Sequence, residues 1–172
     1  MKKLLVLCAP VVCVALGGAS LHAAPNWIIT PLARKVATNG CTASGSSASM
    51  GDGFQSVGTN GANTGFFCAV DTVTVAPSQI TRAVVWVKLL STPQPAWAQL
   101  CYRSLATGHH LCGKLAYSKT ASASITALTP PAPTGSFDDS YAAYLLVMIP
   151  RPATSVNTFY GYELQKVTET HP

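Results

Sequence analysis

The chain has 172 residues, of which 48% are hydrophobic and 10% charged, with 13 glycines, 12 prolines and a formal net charge of +5. An ordinary soluble domain carries roughly a quarter charged residues, so this composition excludes a coiled coil, a polyampholyte linker and a charge-dense disordered chain. What remains is an ordered, turn-rich domain of the exported type.

The first segment has the form of a secretory signal. Lys2 and Lys3 give a basic start, Leu4 to Leu16 an apolar run, and Gly17 to Ala24 a small-residue exit. It is too short, and too soon followed by polar sequence, for a spanning helix. Cleavage is placed after Ala23, with Ala19 as the alternative because Gly17 stands two residues before it, where Leu21 precedes Ala23. Neither Cys8, after Leu7, nor Cys13, after Val12, has the small neighbour that a lipid-modified cysteine follows. Removing 23 residues leaves 24–172, a single domain of 149 residues with enough volume for a core. It retains nine basic and six acidic side chains, a net +3, and the cations are scattered, so nothing points to nucleic acid.

Asn26 to Thr30 reads as a short first strand closed by Pro31, which cannot donate to a ladder. From Asn39 to Gly65 the chain is rich in Gly, Ser, Ala, Asn and Thr, and is expected to be a long loop with at most one weak strand. Stronger strand signals follow at Phe66 to Val75, Ile80 to Leu90, Trp97 to Leu105, His110 to Ser118, Ser122 to Leu128, Tyr141 to Ile149 and Thr158 to Val167. The intervals between them are turn chemistry, such as Ala76-Pro77-Ser78, Pro93-Gln94-Pro95, Thr107-Gly108 and Pro150-Arg151-Pro152. Seven or eight short strands without helices predict an all-β, antiparallel β-sandwich of jelly-roll or immunoglobulin-like type.

Cys41, Cys68, Cys101 and Cys112 survive signal removal, an even number in an exported chain, which predicts two disulfides. No C-x-x-C or closely paired ligands point to a metal. Setting Cys101 opposite Cys112 in an antiparallel hairpin places Arg103 against His110, Gln99 against Lys114 and Trp97 against Ala116. One face then becomes apolar and the other holds the charges, amides and cystine. That agreement predicts Cys101–Cys112 and leaves Cys41–Cys68 by elimination. In the preceding strand, Ala83, Val85, Val87 and Leu89 form one face, and Arg82, Val84, Trp86 and Lys88 the other.

The catalytic alternatives are thin. No G-x-S-x-G elbow occurs, and His109-His110 reads as a pair of exposed turn residues at a hairpin tip. Glycosidic cleavage needs two carboxyls at a defined separation, and the chain offers only Asp52, Asp71, Asp138, Asp139, Glu163 and Glu169. The adjacent Asp138 and Asp139 lack the spaced series of a calcium loop. No catalytic residue, metal or cofactor is assigned. Trp86 and Trp97 fall on the wet faces of their strands, in the company of Arg82, Lys88, Gln99 and Arg103. Exposed rings can stack on the apolar face of a sugar while polar neighbours fix its hydroxyls, so Trp86, Trp97, Gln99 and Arg103 are the candidate ligand-binding residues. The competing reading has each indole packed over a sheet edge. Expected partners are therefore a glycan or a surface protein, with a structural or adhesin-like subunit working through its edge strands as the alternative.

The layout resembles a known type. Cys41, the stretch with Gly58-Thr59-Asn60, Phe66-Phe67-Cys68-Ala69-Val70, Val85-Trp86-Val87, the Cys101 and Cys112 hairpin, Tyr144 to Pro150 and Tyr160-Gly161-Tyr162 together are similar to small exported β-sandwich proteins of uncharacterised function from Gram-negative bacteria. The resemblance implies the sandwich and a secreted or periplasmic location, and brings no active site with it.

Overall fold

In the computed structural model, which describes residues 26–45, 47–50, 53–56, 63–71 and 74–170, the alternating segments pair into two antiparallel sheets. The expected signal segment and its cleavage site, the Gly58-Thr59-Asn60 motif, Asp52 and His171 lie outside the described residues. In chain order the elements are β1 (Asn26–Val36), the single turn α1 (Ala37–Gly40), β2 (Cys41–Ser44), β3 (Ser47–Met50), β4 (Gly53–Ser56) and β5 (Asn63–Ala69). A 3-10 turn at Pro77–Gln79 leads to β6 (Arg82–Leu89), β7 (Ala96–Ser104), β8 (His110–Cys112), β9 (Ala116–Ser118), β10 (Ser122–Leu128), β11 (Tyr141–Pro150) and β12 (Asn157–Thr170).

Sheet I runs β10-β6-β12-β4-β3. The long β12 carries β4 beside its first residues and β1 along the remainder of the same edge. Sheet II runs β2-β5-β11-β7-β8, with β9 continuing along the edge of β7 that β8 occupies. The strand-to-strand alternation of side chains supplies each sheet with one apolar face, and the two faces close on each other. Ala83, Val85, Val87 and Leu89 of β6 are fully buried, as the sequence expects. They meet Leu100 and Tyr102 of β7 and Leu145, Val147 and Ile149 of β11, with Phe66 lodged between Phe54 and Phe159 at 5.3 and 5.2 Å. Each such Leu, Ile or Phe contributes roughly 1.5–3 kcal/mol over its exposed state. The Tyr102 hydroxyl has Pro77 and Ile80 carbonyls as acceptors at 3.0 and 3.2 Å, and burial pushes its pKa up to about 12, so it stays a donor.

Both disulfides form with the expected partners, and in both the cysteines are direct register neighbours on adjacent strands. Cys41–Cys68 ties the short edge strand β2 to β5. Cys101–Cys112 ties β8 to β7.

Three expectations are corrected. The Asn39 to Gly65 region is not a loop with one weak strand: it holds α1, β2, β3, β4 and the start of β5. Its small residues have little strand propensity of their own, and tertiary pairing to β5 and β12 decides the conformation. The first strand does not stop at Pro31; it continues to Val36, and the register shifts between Pro31 and Ala33, where an edge strand tolerates a missing donor. The expected strand from His110 to Ser118 divides into β8 and β9. Beyond the disulfide the pairing slips by one, so that Ala98 faces Ala116 and Trp97 faces Tyr117.

Candidate functional site

Alternation along β7 sends Trp97, Gln99, Cys101 and Arg103 away from the core, onto the outer face of sheet II. The β11 register sets Met148 beside Trp97, Leu146 beside Gln99, Tyr144 beside Cys101 and Ala142 beside Arg103. One strand further, Gly65 continues the Met148 row, Phe67 the Leu146 row and Ala69 the Tyr144 row. On the other side of β7, Tyr117 extends the Trp97 row, Cys112 the Cys101 row and His110 the Arg103 row.

This face is lined with rings. Phe67 is 48% exposed and stacks on Tyr144, with centroids 5.2 Å apart and planes inclined by 26°. His110 meets the same tyrosine edge-on at 5.6 Å, and its Nδ1 lies 2.6 Å from the Tyr144 hydroxyl. Burial raises the Tyr144 pKa, against the opposing pull of the Arg103 charge. Tyr117 is 63% exposed, with Lys119 Nζ 5.8 Å from its ring centroid. Trp97 is half-buried beside them.

Two hollows flank Phe67. One, of about 420 Å³, is bordered by Phe67, Arg103 and Tyr144; the other, of about 200 Å³, by Phe67, Trp97, Leu146 and Met148. Gln99 lies in the strand row of Leu146 and Phe67 and borders neither hollow; its amide donates to the Gly113 carbonyl at 2.9 Å, which fixes the side chain and leaves its oxygen as an acceptor. The strands of sheet II contain no aspartate or glutamate. The face therefore offers apolar ring surface, amide and guanidinium donors, and no strand-borne carboxylate pair of the kind glycosidic cleavage uses. Among the described acids, Asp138 accepts from the N–H and hydroxyl of Ser140, which hold its carboxyl below the usual range. No group of three metal-ligating side chains occurs among the described residues.

Three of the four candidate binding residues, Trp97, Gln99 and Arg103, thus share one surface. Trp86 does not join them. It projects from β6 on the outer face of sheet I, where the Arg34 guanidinium lies 5.1 Å from its ring centroid. Sequence reasoning also passed over Phe67, Tyr117 and Tyr144, and it set His110 opposite Arg103, where the structure has it, but read it as an exposed turn residue. Phe67 has a signal, because in Phe66-Phe67 one ring of the pair must face outward; Tyr117 has none, because its position depends on the slip after Cys112.

No protein-family model matches the chain, and no curated protein matches it in sequence. Among solved structures, the fold is similar to the CBM22-1–GH10 modules of Clostridium thermocellum endo-1,4-β-D-xylanase 10B complexed with xylohexaose, with a TM-score of 0.57 and 11% identity over 79% of this chain. The match spans 28% of that longer chain. It is also similar to a xylan-binding module, CBM15, with a TM-score of 0.52 and 13% identity, covering 82% of this chain and 97% of the module. At these identities the likeness is one of fold alone, the two-sheet antiparallel β-sandwich.

Proposed function

We propose that this chain is an exported, non-enzymatic glycan-binding protein that uses the outer face of sheet II. The observation that carries this reading is the gathering of Trp97, Phe67 and Arg103 around two adjoining hollows, with the largely buried Tyr144 behind Phe67 and Gln99 in the strand row of Phe67 and Leu146. Ring faces take the C–H surface of a sugar, and the Gln99 oxygen and Arg103 donors take its hydroxyls. Tyr117 and His110 extend the same surface. Fold likeness to a module that binds xylan makes xylan a sensible member of any ligand panel.

The remainder of the reading concerns export. Residues 1–23 are a signal peptide cleaved after Ala23, residues 24–172 form one domain, and the protein works in the periplasm or outside a Gram-negative cell. The two disulfides support an oxidising compartment, and no helix among the described residues is long and apolar enough to cross a membrane. Nucleic acid is not a partner in this reading.

One feature favours the alternative of a subunit that pairs through an edge strand: β1 leaves Trp27, Ile28 and Ile29 about half exposed. Sedimentation at rising concentration separates the two, since self-association through β1 is abolished by Ile28→Lys and glycan binding is not. For the glycan reading, calorimetric titration with soluble xylan, mixed-linkage glucan and cell-wall fragments is the test. Saturable binding that falls at least tenfold in a folded Trp97→Ala variant supports it, and silence across the panel removes it.

A further inference from the structure

Trp86 has its own hollow, of about 310 Å³, bordered by Arg34, Val36, Ile125, Tyr160 and Gly161. That volume stands at the small end of ligand sites, which run from about 300 to 1,000 Å³. Its floor is open for a backbone reason. The register partner of Trp86 on β12 is Gly161, and on β10 it is Ala127, so neither paired residue fills the space beside the indole, and the Arg34 guanidinium lies over its ring at 5.1 Å. Gly161 adopts φ +152°, and a Cβ there would lie 2.3 Å from the Lys35 carbonyl oxygen, so the gap cannot be filled by mutation without parting β1 from β12.

The polar wall is held in place. Arg34 Nε and one terminal nitrogen donate to the same Glu163 oxygen at 2.8 and 2.5 Å. The Glu163 side chain is 4% exposed, its other oxygen accepts from Gln165 at 2.6 Å, and Gln165 in turn accepts from Arg82 at 2.8 Å. Those contacts use two of the five N–H donors of Arg34, whose side chain is 71% exposed. Three donors are left beside an indole, with a tyrosine and an isoleucine completing the hollow.

We infer that this hollow is a second saccharide site and that one molecule holds two glycan chains at once. The inference rests on the glycan reading above. β6 and β7 follow each other in sequence but lie in opposite sheets, so Trp86 and Trp97 face opposite ways across two layers whose backbones alone are about 10 Å apart. A linear chain lying on one outer face cannot reach the other, whereas two separate chains can each take one. The molecule is then a cross-linker of polysaccharide.

Calorimetry with the hexasaccharides of β-1,4-xylose, β-1,4-glucose and β-1,3-glucose counts the sites, and light scattering with the parent soluble polysaccharides reads cross-linking. The expected result is two sites per molecule and a rise in scattering. Trp86→Ala reduces the count to one and abolishes the rise. Ile125→Arg, which blocks the hollow from an exposed position without removing packed atoms, does the same. One site in the wild type, lost in Trp97→Ala and untouched by either sheet I variant, overturns the inference and leaves the glycan reading intact. No binding to any of these probes overturns both.

Discussion

Trp97 and Tyr117 are register partners across β7 and β9, and they meet only because an extra residue enters the chain between Cys112 and Ala116. Strict continuation of the pairing at Cys101 and Cys112 would put Ala116 opposite Trp97. The slip turns Tyr117 outward and lengthens the aromatic surface beyond the edge of β7.

Gly113 permits that slip. Its N–H donates to the Leu100 carbonyl at 2.9 Å, and a Cβ on it would lie 2.1 Å from the Pro131 carbonyl oxygen. Gly113→Ala is therefore expected to force the segment off Pro131, at a cost of about 1–3 kcal/mol, the range for overpacked sites. Urea unfolding reads the loss, and the tryptophan emission of the folded variant shifts as the surroundings of Trp97 change.

The two disulfides differ in what their removal costs. They close separations of 27 and 11 residues, and loop-closure entropy scales with the logarithm of that length. Loss of either is expected to cost about 2–5 kcal/mol, with Cys41→Ser/Cys68→Ser the more damaging pair by about 0.8 kcal/mol on the entropic model. Denaturant midpoints of the two double variants check the order.

Glu163 gives the fold a defined acid response. Burial raises its pKa, but hydrogen bonds from Gln165 and Arg34, together with the Arg34 charge, outweigh that and hold the carboxyl below its ordinary 4.5. The unfolded chain therefore takes up the proton first. The stabilisation is complete above the unfolded value and is lost as pH falls through the lower folded value. Glu163→Gln is expected to flatten that part of the stability profile below pH 4.5, followed by thermal midpoints from neutral pH down to 2.5. Arg34→Met strands a buried carboxylate on Gln165 alone and is expected to cost about 1–3 kcal/mol at neutral pH.

The Tyr144 ring is set by two neighbours, Phe67 and His110. Tyr144→Phe keeps the stack and loses the contact with His110 Nδ1, so the glycan affinity is expected to fall about threefold. Phe67→Ala removes the partner ring from an exposed position, and a loss of at least tenfold, about 1.4 kcal/mol, is expected with little change in stability. Calorimetric titration of both variants measures the two ratios.

Much of the fold is legible in the alternation of the chain. The β6 segment separates Ala83, Val85, Val87 and Leu89 from Arg82, Trp86 and Lys88, although Val84, on the same face as Trp86, is buried too, and the Cys101–Cys112 pairing follows from requiring sulfur geometry and apolar parity to agree. What alternation cannot supply is strand order. Trp86 and Trp97 have the same outward character in sequence, and only the assignment of β6 and β7 to different sheets sends them to opposite faces. The 39–65 region fails for another reason: its Ser, Gly and Ala residues carry no strong local preference, and the partners that make strands of them, on β5 and β12, are distant in sequence. Phe67 and Tyr144 likewise become neighbours through the pairing of β5 with β11.

The most direct test is amide shift mapping of the isotopically labelled protein, titrated with the glycan that binds best in the panel. The account predicts a contiguous set of saturable shifts on sheet II that includes Phe67, Trp97, Gln99, Arg103 and Tyr144. Saturable shifts that leave those residues unmoved would contradict it.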